Sequence, residues 1–515
     1  MNWFLSMDIP YTLQKAIGFL SIIFFLAFCI SANFRAYISK RLGSLREDKK
    51  TKLVYLFFAV STAWLIIMPV LRHMAFQSHT YDLGILTCVS WNIAHGNGFY
   101  DPVLHLPSYL GDHWQPAMAI MAIFLRVWES AMLLILFQSL FLVLGAIGAY
   151  KLCAVVIKQR SWAILISACY IFSPQLHAIN RFDYHPEFLA VPCILWGFYW
   201  LSTGKHWKAL AAFIAMWFIK EDLPHVSAAI GVFMAFHWKD KKIMGALLGV
   251  SSAIVFVLVI FVIMPFFLGS QVPTHMDRYE NLGANWQEVL RTFTFTPHKV
   301  AVNLLSDQVI WKTILKILTP MIFLPILSGW AMALPLFAAL PHFLSSYSTQ
   351  RALSGQYICA VLPLVIICSC YGLNAILRSD SGFKLTLRKA VSKATIWPIM
   401  ALIIIHWSFN VSRYYKPISE SHRTALSHIV SLVPADGSVS AQSDIGPHVA
   451  TRNNLYQFPD NPNADYVIVD AHGNTWPLSG QSELRKHIEK LQDNGEYSLI
   501  AQNNEVYLFA KKPKE

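Results

Sequence analysis

The sequence predicts a polytopic α-helical membrane protein, with about eleven to thirteen spans and a small α/β domain at its C-terminus. Of the 515 residues, 55% are hydrophobic and only 14% are charged, whereas soluble domains carry about 25% charged residues. Apolar runs long enough to cross a bilayer recur up to residue 411, and the chain is more polar after that point. Lipid is therefore the predicted solvent for most of the chain.

A spanning helix needs about 20 mostly apolar residues. The shorter apolar stretch 115–128 is predicted to be a re-entrant or interfacial helix, or half of a broken span. We predict spans near residues 14–33, 53–73, 131–154, 162–177, 187–203, 207–220, 223–238, 243–268, 311–328, 329–345, 356–377 and 394–411.

The basic residues indicate how the chain is oriented in the membrane. The net charge of +12 would suggest a nucleic-acid partner in a soluble protein. Here Lys and Arg concentrate in short loops between apolar runs, chiefly 34–52 and 378–393, which is the positive-inside pattern. We therefore predict no nucleic-acid partner. The expected location is the bacterial inner membrane, with these loops in the cytoplasm and the C-terminal domain outside the cell or in the periplasm.

The residues after the last span predict a separate domain. Helical spacing of apolar residues at 425–433 and 482–491 alternates with predicted strands at 437–442 and 465–470. Two further runs, 497–502 and 505–510, are joined at Asn503-Asn504 and predict a hairpin. We divide the chain into two N-terminal spans (1–74), a multi-spanning core with an outer polar cavity (75–411) and this domain (412–515).

The predicted orientation brings acidic and imidazole side chains to the outer face. In the first outer loop, Asp82 precedes a helical stretch, so a helix N-cap and a catalytic carboxylate are about equally consistent with it. Further on, Asp112-His113 lies before an apolar run. This pair suits a metal or phosphate site, or a loop with its own hydrogen bonds.

The second and third groups lie at span ends. Asp183, His185 and Glu187 alternate along an extended segment, so they share one side and suit a divalent cation such as Mg²⁺ or Mn²⁺. The alternative is an acidic helix entry that favours the helix dipole. Lys220 and the neighbouring Glu221-Asp222 lie between two spans almost without a loop.

Three consecutive charges at membrane depth are costly unless they are paired or line a polar cavity. Lys220 suits a phosphate, whereas Glu221 and Asp222 suit a metal or an ion pair with Lys220. A tight charged turn at the interface is the structural alternative. A fourth polar stretch contains Arg351 and Tyr357, for which the alternatives are a lipid head-group site and a solvated loop.

The order of these motifs resembles a known prokaryotic membrane family. The stretches YDLG, WNIAHGNGFY, DHWQP, RFDYHPE, KED and DYVIVD, over residues 80–510, are similar to the family called "domain of unknown function 2079". That family is grouped with C-type-fold glycosyltransferases, which use polyprenyl-phosphate-linked sugars on the outer face. The resemblance implies that Asp82 is the catalytic base or a metal ligand. The chain departs from the C-type pattern because Leu83-Gly84, rather than a second acid, follows Asp82. It departs from the family pattern by having Gln356 where the family favours His.

The leading hypothesis is a glycosyltransferase that moves a sugar from a polyprenyl-phosphate donor to an unidentified acceptor on the outer face. The alternative is a transporter or lipid-binding membrane protein without chemistry. The sequence lacks a convincing internal repeat, and its ionisable groups collect on one face, which favours the enzyme. The expected phosphate- or substrate-binding residues are Lys220, Arg181, Arg351, His113 and Tyr357. The expected ligands of a cation or of the sugar hydroxyls are Asp183, His185, Glu187, Glu221 and Asp222.

Overall fold

Apolar helices dominate the chain up to residue 410, and a five-stranded sheet follows them. The computed structural model describes residues 5–43, 47–269, 275–380, 382, 385–388, 396–460, 463–493 and 495–513. Parts of the two predicted basic loops, residues 44–46, 381, 383–384 and 389–393, lie outside this described part.

The helices of the first half lead up to the charged turn at 220–222. A π-helical turn at Thr80–Gly84 precedes the fourth of them, and a 3-10 turn at Pro186–Leu189 precedes the ninth. They are α1 Ile9–Ile30, α2 Ala32–Gly43, α3 Glu47–Met74, α4 Ile85–Ala94, α5 Met118–Leu125, α6 Ala131–Ile157, α7 Arg160–Ile171, α8 Pro174–Arg181, α9 Ala190–Ser202 and α10 His206–Ala215.

Several helices of the second half line the cavity that is described below. Between them lie 3-10 turns at Met276–Tyr279, Leu324–Met332 and Gly355–Ile358. They are α11 Leu223–His237, α12 Lys242–Leu258, α13 Met264–Leu268, α14 Trp286–Phe295, α15 Pro297–Ser306, α16 Gln308–Leu318, α17 Ala333–Leu344, α18 Ser348–Arg351, α19 Val361–Leu377 and α20 Ile396–Asn410.

The described residues contain fewer continuous spans than the sequence predicts. Five helical stretches are long and apolar enough to cross a membrane, or up to seven if two bent helix pairs each count as one span. One bend, of 45°, separates α7 from α8, where Pro174 cannot continue the preceding helix and the Ser173 hydroxyl accepts from the Leu176 N–H at 3.2 Å. The predicted span 311–328 was wrong, because α16 ends at Leu318 and the next apolar span begins at Leu324.

Small residues bring α11 and α12 into backbone contact. Gly231 of α11 faces Gly245 and Gly249 of α12, and a Cβ at Gly245 would lie 2.5 Å from the Ala235 nitrogen. This Gly-x-x-x-Gly spacing is typical of closely packed membrane helices. Because α11 begins directly after the charged turn 220–222, this contact fixes the position of that turn.

The C-terminal domain is an α/β unit, as predicted. The sheet order is β2-β1-β3-β5-β4; β1 pairs in parallel with β2 and β3, and β5 runs antiparallel to β3 and β4. The predicted hairpin and the buried 465–470 strand are confirmed, whereas β2 was not predicted. The elements are α21 Glu420–Ser431, β1 Val439–Ala441, β2 Leu455–Gln457, β3 Tyr466–Asp470, α22 Gln481–Asp493, β4 Tyr497–Asn503 and β5 Val506–Lys511.

This domain rests on the first outer loop of the membrane core. The Ser443 carbonyl accepts from the backbone N–H of Thr80 at 2.8 Å and from its hydroxyl at 3.1 Å. The rings of Tyr81 and Trp476 meet edge to face, with their centroids 4.6 Å apart. The C-terminal domain therefore contacts the two residues that precede Asp82.

We expect Gly245→Leu to lower the thermal stability of the protein in detergent. Overpacking a well-packed interior costs about 1–3 kcal/mol, and here the added side chain meets backbone that cannot move aside. Val250→Leu on the same helix is the matched control, because Val250 is 62% exposed. Equal unfolding temperatures for the two variants would contradict close α11–α12 packing.

Candidate functional site at the outer ends of the helices

Ion pairs connect the charged segments that the sequence analysis singled out. Asp82 lies 3.2 Å from the His185 ring, and the Lys220 ammonium pairs with the buried Glu187 carboxylate. Glu221 accepts from Nδ1 of His113 at 2.9 Å. Three outer segments and the 220–222 turn therefore meet in space.

The Asp82 carboxylate is not a helix cap. It belongs to the π-helical turn Thr80–Gly84, and α4 begins after Gly84 without any side-chain cap. π-Helical turns often occur at functional sites. The Asp82 side chain is 24% exposed, so it is reachable from outside while it pairs with His185.

Asp183 holds the loop that carries Asp82. Its carboxylate pairs with Arg72 of α3 and accepts from the backbone N–H of His79 at 2.7 Å. Asp183 is 5% exposed, so these two partners compensate a buried charge. Its position is therefore structural: it ties the end of α3 to the start of the Asp82 turn.

A cavity of about 570 Å³ opens beside the 220–222 turn. Its polar end contains Lys220, Glu221, Asp222, His225, His275, Arg278, His342, Gln350 and Tyr357. Most of the remaining wall is apolar. It includes Phe256, Ile260, Phe261, Met264, Leu282, Trp286, Val289, Leu290, Phe293, Leu340 and Leu344. The cavity is thus amphipathic, and it suits a ligand with a polar head and a hydrocarbon tail.

The two cationic side chains that line this cavity differ in whether a neighbouring residue compensates their charge. Lys220 pairs with Glu187 and lies 5.9 Å from the centroid of the Tyr357 ring. The Arg278 guanidinium forms no hydrogen bond or ion pair with any other residue that the structure describes. Sequence analysis missed Arg278, whose only signal was a charged stretch, Asp277-Arg278-Tyr279-Glu280, in a long outer loop.

Asp222 is one of the two carboxylates that line the cavity, and Glu221 is the other. It occupies the N-cap position of α11 but makes no side-chain cap hydrogen bond, and its Oδ1 is buried without a partner among the described residues. Its Oδ2 lies 3.8 Å from His342. Burial raises the pKa of Asp222 to about 6, although Lys220 acts in the opposite direction.

Asp82 has the opposite electrostatic character. Burial raises the pKa of its carboxyl, but the hydrogen bond and positive charge of His185 outweigh burial and leave the pKa below its ordinary value. Asp82 does not line the cavity. Its partner His185 lies two residues before Glu187, and Glu187 pairs with Lys220, which does line the cavity. Asp222 thus lines the cavity with a raised pKa, whereas Asp82 lies in the first outer loop with a lowered pKa.

Three of the five predicted phosphate- or substrate-binding residues do not line the amphipathic cavity. One is His113, which pairs with Glu221, and the other two are arginines. Arg351 pairs with Asp307 at 2.8 Å and donates to the Ser345 and Ser346 carbonyls, so its charge is compensated within the fold. Arg181 donates to the Arg413 carbonyl at 3.1 Å and lines a separate cavity between α8, α16 and α20. Neither residue lines the amphipathic cavity.

The five predicted cation ligands form separate contacts rather than one ligand set: Asp183 with Arg72, His185 with Asp82, Glu187 with Lys220, Glu221 with His113, and Asp222 close to His342. Their role in cation binding stays a prediction.

Among the described residues, a different group has metal-site spacing. One ligand atom each of Asp112, His113 and His275 lies within 4.8 Å of the others. Only the Asp112-His113 pair was noted in the sequence. His275 joins it from the far end of the segment after α13, which no local pattern could indicate.

A solved structure shares this architecture. ArnT from Cupriavidus metallidurans bound to undecaprenyl phosphate has a TM-score of 0.52 at 12% identity, over 90% of this chain and all of ArnT. The apo form of ArnT gives a TM-score of 0.49 at 12% identity, over 90% of this chain and all of ArnT. The oligosaccharyltransferase from Archaeoglobus fulgidus gives 0.37 at 12% identity, over 80% of this chain and 69% of its own. At this identity the likeness to ArnT establishes the fold alone.

Sequence comparison identifies the family. No curated protein is similar enough to count as a relative. A family of membrane proteins matches residues 72–508, which include all the site residues named above. Because this match covers well over half of the chain, the protein belongs to the family described as "Predicted membrane protein (DUF2079)".

Proposed function

We propose that the protein is a membrane glycosyltransferase that transfers a sugar from a polyprenyl-phosphate donor to an acceptor on the outer face. The observation that carries this proposal is the amphipathic cavity, with two cations at its polar end and an apolar wall beyond them. A polyprenyl phosphate has the same division into an anionic head and a hydrocarbon chain. The likeness to ArnT, which was solved with undecaprenyl phosphate, is consistent with that ligand.

In this proposal the donor phosphate binds at Arg278 and Lys220. Lys220 is already paired with Glu187, so Arg278 supplies most of the uncompensated positive charge. A guanidinium also matches phosphate geometry with two parallel hydrogen bonds. The isoprenoid chain then follows the apolar wall formed by α12 and α14.

The transfer requires a group that takes a proton from the acceptor. The acceptor hydroxyl oxygen bonds to the anomeric carbon, the bond from that carbon to the phosphate oxygen breaks, and the lipid phosphate leaves with the electron pair. Asp82 is our candidate base, because His185 keeps it ionised and its side chain is partly exposed. Asp222 would contact the bound donor within the cavity.

A divalent cation would bind at Asp112, His113 and His275. Two imidazoles and one carboxylate favour Zn²⁺ or Mn²⁺ over Mg²⁺. Glu221 accepts from Nδ1 of His113, an arrangement that leaves Nε2 free for a metal and orients the ring. Such an ion would join the first outer loop to the segment that carries Arg278.

We expect Asp82→Asn to abolish transfer while the donor still binds. Loss of a general base costs on the order of 10²–10⁴ in rate. Release and transfer of radiolabelled sugar from polyprenyl-phosphate donors in nanodiscs measures this. Glu129→Gln is the matched control, because Glu129 also pairs with an outer-loop histidine, His95, at 3.2 Å. Full activity in Asp82→Asn, with loss in Asp222→Asn, would transfer the role of base to Asp222.

We expect Arg278→Gln to weaken binding of a polyprenyl phosphate by about tenfold or more, because a charged hydrogen-bond donor is removed. Equilibrium binding of a radiolabelled polyprenyl phosphate to purified protein measures this change. Arg291→Gln on α14 is the control, because Arg291 is exposed and does not line the cavity. Equal affinity of the wild type, Arg278→Gln and Arg291→Gln for the lipid would exclude Arg278 as the phosphate ligand. Binding without turnover of any donor would favour a lipid-binding protein or a transporter.

We expect the purified protein to bind one Zn²⁺ or Mn²⁺ ion, and His275→Ala to lose it. Metal content after dialysis and titration calorimetry measure the stoichiometry. His95→Ala, in the first outer loop but outside the group of three, should retain the ion. Retention of the ion by His275→Ala would exclude this ligand set.

A further inference from the structure

A second cavity lies on the other side of the segment 350–358. Gln350 and Tyr357 line the amphipathic cavity, whereas Ser354 and Ile358 line the second one. The second cavity has a volume of about 300 Å³ and lies between α8, α16 and α20. One short stretch of chain therefore separates the two spaces.

The second cavity collects basic side chains without an acidic partner. Arg181, Lys316 and His406 come from three different helices, and none of the residues that line this cavity is Asp or Glu. The Lys316 ammonium has no hydrogen bond or ion pair within the described ranges, and Arg181 donates to one backbone carbonyl. Such an excess of positive charge suits an anion.

A buried polar atom gives a second indication of a ligand. Gln175 lines the cavity, and its Nε2 donates to the Lys316 carbonyl at 2.8 Å. This bond fixes the amide, and Oε1 is buried without a partner among the residues described. A buried acceptor of this kind needs a donor, such as a hydroxyl group of a bound ligand.

The flanks of the cavity face hydrocarbon. Leu315 beside Lys316 is 53% exposed, and Leu402 and Phe409 of α20 are 45% and 41% exposed. On a membrane protein these exposed apolar side chains contact lipid chains. The basic groups therefore lie next to the surface that acyl chains cover, which is where a lipid head group can reach them.

We propose that this cavity binds the phosphate of an anionic glycerophospholipid from the outer leaflet, with Arg181 and Lys316 as the principal phosphate ligands and Gln175 accepting from a head-group hydroxyl. This site is distinct from the donor cavity, and the proposal does not depend on the transfer reaction. It also accounts for Arg181, which the sequence predicts as a phosphate ligand but which lies outside the donor cavity.

The test uses the full chain in mild detergent, titrated with phosphatidylglycerol and followed by native mass spectrometry. We expect one tightly bound phosphatidylglycerol, and a fall in affinity of about tenfold or more in Lys316→Gln and further in Arg181→Gln/Lys316→Gln. Zwitterionic phosphatidylcholine should bind more weakly to all forms. Lys316 is exposed, so the single variant is expected to fold normally.

Lys312→Gln is the matched control, because Lys312 is an exposed lysine of α16 that does not line the cavity. Equal affinity in Lys316→Gln and the wild type would overturn the proposal, as would an equal loss in Lys312→Gln. Displacement of the lipid by a similar concentration of inorganic phosphate would identify a free-anion site instead. Arg278→Gln should leave the affinity for phosphatidylglycerol unchanged. The two lipid-binding proposals are therefore tested by different variants, and one can fail without the other.

Discussion

The buried ion pair between Lys220 and Glu187 constrains the rest of the site. Both residues are at most 5% exposed, in surroundings that are mainly apolar. Removing either partner would leave an uncompensated buried charge, which typically costs about 3–5 kcal/mol. The pair therefore fixes the turn before α11 to the turn before α9, and Gln115, 3.4 Å from Glu187, adds the first outer loop.

The Lys220–Glu187 ion pair gives the charged side chains of the site different roles. Because Glu187 compensates Lys220, the cavity depends on Arg278 for net attraction of an anion. The carboxylates are divided in the same way: Asp82 stays acidic beside His185, whereas burial raises the pKa of Asp222 to about 6. Two carboxylates whose environments separate their pKa values are typical of sites with distinct proton-transfer and ligand-contacting roles.

The sequence predicted that the charged segments collect on one face of the membrane, because ionisable groups at membrane depth are costly unless they are paired or line a polar cavity. It could not predict the pairing, which depends on tertiary contacts. Asp183 pairs with Arg72 of a distant helix, and His275 approaches Asp112 from more than 160 positions away. Hydropathy also predicted continuous spans where the helices break, as at Pro174 and after Leu318, since local backbone geometry decides those positions.

The segment between the two cavities shows how a residue predicted to bind ligand can instead position the site. Arg351 is held by Asp307 and by the Ser345 and Ser346 carbonyls, so its charge is compensated within the fold. These contacts anchor α18 just before the turn Gly355–Ile358. Tyr357 of this turn lines the amphipathic cavity, and Ile358 lines the second cavity. A shift of this anchor would move the walls of both cavities together. Arg351 therefore affects the position of Tyr357 and Ile358 without lining either cavity itself.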